Sequence, residues 1–240
     1  MTLLKQITRV ALGLGFLAHI TAAPAGPIKT NSVVVENPPV WLKDRRIEKI
    51  TDKVESFLEW KIRRVNVRWE PDAGAFARGH GLGNHPILAY TRANEQTIHL
   101  GPQVTDANFD GTFGHELVHV VIFQKYAEAI PPWLVEGLAN FVAKNSVVDY
   151  VWLASRPAIP VESLVHPFRA DPRYHYMAST ALMEMLAKKC DLRDLIQMSV
   201  KKKLADQIRR LCGINDINAT FAEWVKYQAG AFRKPVRKKS

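Results

Sequence analysis

The sequence predicts an α+β fold in which the two kinds of structure are separated along the chain. Three observations carry this reading. Residues 43–62 place apolar side chains at helical spacing with charges between them, three short strand-like runs follow before residue 101, and every strong periodic signal beyond residue 105 is helical. The chain has 240 residues, 47% of them hydrophobic, which suits one generous domain or two closely packed subdomains. There is no internal repeat, and the composition excludes collagen-like and disordered classes.

Residues 1–25 have the make-up of an export signal. Lys5 and Arg9 are the only charges, Val10 to Ile20 is a short apolar run, and the small residues Ala22, Ala23 and Ala25 follow, with Ala23-Pro24-Ala25 as one A-x-A cleavage site. The run is too short, and too interrupted by glycine, to span a bilayer. The expectation is a cleaved signal and a mature chain that is periplasmic or secreted, with no transmembrane span; an uncleaved anchor is the competing reading. Residues 26–42 carry prolines and no period, and read as an extended arm or linker.

A domain is expected over residues 43–230. It opens with an amphipathic helix whose apolar positions are Ile47, Ile50, Val54, Phe57, Leu58 and Ile62. "VNVRW" at 65–69, "ILAYT" at 87–91 and "TIHLG" at 97–101 read as strands, with "TIHLG" expected at the sheet edge, where an extended peptide could pair with it. The glycine-rich stretch 74–86 between the first two reads as a loop, and its His80 and His85 as surface groups. Asp106 or Asp110 is expected to cap a helix that runs to about Tyr126. Pro132 suits the first turn of the next one. Further helices are expected over about 175–190, over 192–211 with a break, and over "INATFAEWVKYQ".

Formal net charge is +10; without Lys5 and Arg9 it is +8, and without the six basic residues from Lys226 to Lys239 it is about +2. The basic tail, residues 231–240, reads as a solvated end, with weak contact to anionic envelope polymers as the alternative. No nucleic-acid motif accompanies it, so no specific nucleic-acid partner is expected. In an exported chain Cys190 and Cys212, each near the end of a helical stretch, are expected to form a disulfide; two buried free thiols are the alternative.

The stretch "GTFGHELVHVVIF", residues 111–123, raises a physical problem. Its apolar residues point all round a helix, so the helix should be buried, yet it carries His115, Glu116 and His119. An unpartnered charge costs several kcal/mol to bury. His-Glu-x-x-His resolves the conflict if both imidazoles, four residues apart on one face, bind one metal ion. Glu116, about 100° round the helix, is then placed to reach a water on the ion's open side. A catalytic zinc site needs a third protein ligand. The arrangement with a glycine three residues and a histidine six residues after the second histidine is excluded, because Ile122 and Lys125 stand there. Glu136, a second carboxylate in an apolar helix, "PPWLVEGLANFV", is the candidate, and Asn140 one turn on could accept the other N–H of a ligating histidine.

"HELVH" followed by "PPWLVEGLA" resembles the gluzincin zinc metallopeptidases, most closely their peptidase MA-like branch. The good match covers residues 110–145, on Pro131, Trp133, Leu134, Glu136, Gly137, Leu138 and Ala139, with a looser one from 43 to 228. The resemblance implies a zincin-like fold with a small N-terminal helix-and-sheet subdomain and a mostly helical C-terminal half. It implies one Zn2+ held by His115, His119 and Glu136, Glu116 as catalytic base, and a peptide or protein substrate. Asn140 departs from the pattern, since many relatives carry a carboxylate there; a neutral amide would push less electron density onto the histidine. A tyrosine or histidine commonly helps to hold the oxyanion, and Tyr174, His175 and Tyr176 are the candidates, with Tyr176 first. The competing reading is a catalytically weak or inactive zinc-binding scaffold in the cell envelope.

Overall fold

In the computed structural model of the chain the described residues are 26–83, 85–169, 171–200 and 202–233. The expected export signal and most of the expected basic tail lie outside them. The fold is α+β: a small mixed sheet with a largely helical remainder.

The segment expected as an arm is extended, but it is part of the sheet. It supplies β1 (Ile28–Lys29) and β2 (Val33–Glu36), with Val33 and Val35 buried against the core. The flanking prolines hide a period that is only four residues long. Next comes α1 (Asp44–Leu58), whose Ile47, Ile50, Val54 and Leu58 form one buried stripe. β3 (Val65–Trp69) follows and pairs in parallel with β2.

Residues 74–80 of the stretch expected as loop belong to a helix, α2 (Ala73–His80). The Asp72 carboxylate accepts the Ala75 N–H at its start, and Phe76 buries its ring on Tyr90, with ring centroids 5.4 Å apart. The glycines mislead here because only Gly81 and Gly83 adopt positive φ, 68° and 63°, and both lie past the helix end.

β4 (Ala89–Arg92) and β5 (Thr97–Leu100) complete the sheet in the order β1-β2-β3-β5-β4. β5 is parallel to β3, and β4 is antiparallel to β5. The edge beside the long central helix is therefore β4 and not "TIHLG", which lies inside the sheet with all four residues buried.

That central helix is α3 (Phe109–Tyr126), buried nearly all round. Neither expected aspartate caps it: its N-cap is Asn108, and Arg46 of α1 binds both Asp106 and Asp110. A five-residue connection leads to α4 (Pro132–Ala143), with Pro132 in its first turn. α5 (Tyr150–Ala154) is a short helix that carries no sequence period. α6 (Pro172–Ala187), α7 (Leu192–Ser199), α8 (Leu204–Cys212) and α9 (Ile217–Arg233) follow, with the expected break between α7 and α8. The sulfurs of Cys190 and Cys212 are 2.14 Å apart, at disulfide distance. They join the residues after α6 to the end of α8 across the intervening α7.

Close approach sets the positions of α3, α4 and α6. A Cβ at Gly114 of α3 would come within 3.3 Å of Ala143 of α4. A Cβ at Gly137 would overlap the backbone carbonyl of Ser179, so Gly137 serves the contact of α4 with α6 and not the one with α3. Among the described residues no helix is long and apolar enough to cross a membrane.

Candidate metal centre

α3 projects His115 and His119 from one face, and α4, antiparallel beside it, brings Glu136 against them. The separations are 3.0 Å between the two Nε2 atoms, 3.4 Å from His115 Nε2 to Glu136 Oε2, and 3.6 Å from His119 Nε2 to the same oxygen. A four-coordinate ion with bonds of about 2.0–2.1 Å needs donor atoms about 3.3 Å apart. Glu136 Oε2 is buried and has no hydrogen-bond partner among the described residues. A buried carboxylate oxygen facing two imidazole nitrogens, with nothing else to satisfy it, fits a cation. The three residues form a group that could hold a metal ion.

The orientation of His115 is fixed from behind. Its Nδ1 lies 2.9 Å from Asn140 Oδ1, so the ring N–H donates there and Nε2 keeps its lone pair for the centre. Asn140 Nδ2 donates to Thr180 Oγ1 at 3.0 Å, and that hydroxyl donates to the Tyr176 carbonyl at 2.8 Å. The chain of bonds anchors a side chain of α3 through α4 to the backbone of α6.

Charge at the centre is coupled. Burial disfavours the charged form of His119, but the Glu136 carboxylate, helped by Glu116, outweighs it and raises the imidazole to about 9. Burial would raise Glu136, and the two histidines reverse this and hold it well below the ordinary carboxylate range. Such a pair holds a proton that a metal ion would displace.

Glu116 is buried on the neighbouring strip of α3, and its Oε2 accepts a hydrogen bond from Thr91 Oγ1 at 2.7 Å. Both groups line a cleft of about 610 Å3 with His115, His119, Glu136 and Tyr176. The rest of the wall is mostly apolar, including Ile122, Phe123, Val135 and Phe168. Tyr176 faces this cleft. Burial, and then the charges of Glu136 and Glu116, push its hydroxyl well above the ordinary tyrosine range, so it stays a donor.

The other aromatic candidates are placed differently. Tyr174 is buried and its hydroxyl accepts the Ile159 N–H at 3.0 Å, which is a packing role. His175 is buried with Nε2 unpartnered, and burial lowers its pKa. His80 Nδ1 accepts the Leu82 N–H, and His85 packs on Phe168, with ring centroids 4.8 Å apart; neither belongs to the metal group.

Two features escape the sequence. Thr91 contacts Glu116, yet a threonine in a strand is ordinary and no pattern marks it. The buried His99 pairs through Nδ1 with Glu70 at 2.9 Å while its ring stacks on Tyr90, a half-buried cluster on the opposite face of the sheet. The chain matches no protein-family model and no curated protein.

Proposed function

We propose that the chain is an exported zinc-dependent peptidase of the gluzincin type, with a zincin-like fold. The observation that carries this reading is the convergence of His115 Nε2, His119 Nε2 and an otherwise unpartnered Glu136 oxygen beside a cleft that also holds Glu116. An N2O donor set of this kind suits Zn2+. His115, His119 and Glu136 would hold the ion. When bound, zinc supplies Lewis acidity that polarises a carbonyl and makes a water nucleophilic near neutral pH.

The remaining roles belong to side chains. Glu116 takes a proton from the attacking water as the C–O bond forms, and delivers it to the amide nitrogen as the C–N bond breaks. One water and one peptide bond become a carboxyl and an amine. Tyr176, kept protonated, donates its hydroxyl to the oxyanion that develops on the carbonyl. Asn140 keeps His115 in its ligating tautomer. The free edge of β4 offers backbone groups to an extended peptide, and the apolar wall excludes water and receives a side chain. The cysteine pair at disulfide distance accords with export.

Metal analysis of the purified protein tests the centre, with Glu136→Ala as control: one zinc per chain is expected, and is lost in the variant. Hydrolysis of unfolded protein mixtures at neutral pH tests the activity. It should stop with a chelator and fall at least about a hundredfold in Glu116→Gln, the usual contribution of a general base, while zinc is retained. Hydrolysis that survives chelation, or that equals wild type in the Gln variant, refutes the assignment.

A further inference from the structure

We propose that Thr91 is a positioning residue for Glu116: its hydroxyl anchors one carboxylate oxygen so that the other alone faces the cleft. The inference rests on the role given to Glu116 above.

The two carboxylate oxygens of Glu116 have different surroundings. Oε2 lies 2.7 Å from Thr91 Oγ1. Oε1 has no hydrogen bond from any described residue, and it is not among the buried unpartnered atoms, so it is open to the cleft. Thr91 Oγ1 also lies 3.3 Å from the Glu116 backbone carbonyl. A hydroxyl has one proton to give, and the shorter contact to a charged oxygen takes it.

Thr91 is well held for this task. Strand alternation turns Ala89 and Thr91 of β4 toward α3 and Tyr90 toward the opposite face. Tyr90 stacks on His99 of β5, with centroids 4.5 Å apart and ring planes 4° apart, and Thr91 itself is registered with Ile98. A β-branched residue in a strand has little χ1 freedom, so the hydroxyl position follows the backbone. Glu116, by contrast, has three side-chain torsions. Without a donor its carboxylate can leave the one orientation in which Oε1 meets a water near the metal group, and a misplaced base costs rate rather than binding.

Two variants separate this role from packing. Thr91→Val keeps the shape and removes the donor, whereas Thr91→Ser keeps the donor and removes a methyl. In the full-length metal-loaded protein, Thr91→Val should keep one metal per chain and stay folded, with a melting temperature lower by no more than about 2–8 °C, the cost of one lost buried hydrogen bond. Its kcat should fall about ten- to a hundredfold with KM nearly constant, and Thr91→Ser should recover to within about threefold of wild type. A packing role gives the reverse order, with Val active and Ser impaired, and that result overturns the proposal. Crystal structures of wild type and Thr91→Val give a readout independent of activity. The Glu116 carboxylate should leave its wild-type place in the variant; an unmoved carboxylate overturns the proposal. If the wild type hydrolyses no peptide, the peptidase reading fails, and the two structures still decide whether Thr91 positions Glu116.

Discussion

Metal binding should release one proton per chain at neutral pH, because the proton that Glu136 holds on His119 occupies the place of the ion. The His119 imidazole, raised to about 9 by Glu136 against the effect of burial, is protonated over its neutral form by about 100 to 1 at pH 7 and about 10 to 1 at pH 8. The ion needs the neutral form. Apparent zinc affinity should therefore rise about ninefold from pH 7 to pH 8, or about 1.3 kcal/mol, and level off above pH 9. The sign is fixed: a ligand whose folded-state pKa is raised binds metal better as pH rises. Competition against a chelator of known proton dependence measures the slope. Calorimetry in two buffers of different ionisation enthalpy counts the proton. In metal-free Glu136→Gln, which lacks the charge that raises His119, the imidazole should titrate lower than in metal-free wild type, as read by NMR. A flat affinity across this range, or no proton released by the wild type, refutes the coupling. In metal-free protein the same shift makes the folded state more stable below about pH 6.5, the unfolded value for histidine, and that contribution is lost as pH rises through about 9.

Other outcomes follow from particular contacts. Tyr176→Phe should lower kcat about ten- to a thousandfold with an almost unchanged melting temperature; equal activity in the two would return Tyr176 to a packing role. Gly137→Ala should destabilise by more than about 2 kcal/mol, since the new methyl meets the Ser179 carbonyl, and thermal unfolding checks it. Replacing Cys190 and Cys212 together by alanine should cost about 3 kcal/mol on the loop-entropy account for a pair 22 residues apart; equal stability of oxidised wild type and the variant in urea would reject that estimate.

The metal group was legible in the sequence because burial makes charge conspicuous. His115, Glu116 and His119 in an apolar helix, and Glu136 in another, pose a desolvation problem with few solutions. The helices were legible for the related reason that their stripes are long. The sheet was less so. A four-residue strand such as "TIHL" has the same pattern inside a sheet as at its edge, and its place is set by pairing with β3, some thirty residues away. β1 and β2 were hidden by prolines beside them, and α2 by glycines that turn out to be helical. Thr91 could not be found at all, since its role depends on which side of an edge strand meets α3.

The candidate metal ligands and the residue that anchors Glu116 come from different parts of the fold. His115, His119, Glu136 and Asn140 belong to helices packed side by side in the core, whereas Thr91 sits on an edge strand with one neighbouring strand, β5. Edge strands open at lower free energy than core helices. On the proposed function, mild heat or denaturant that loosens β4 would leave a bound ion in place and release Glu116, so a preparation damaged in this way would keep its metal and turn over slowly. Metal content alone would then be a poor measure of an intact site, and hydrogen exchange along residues 89–92 would report the loss first.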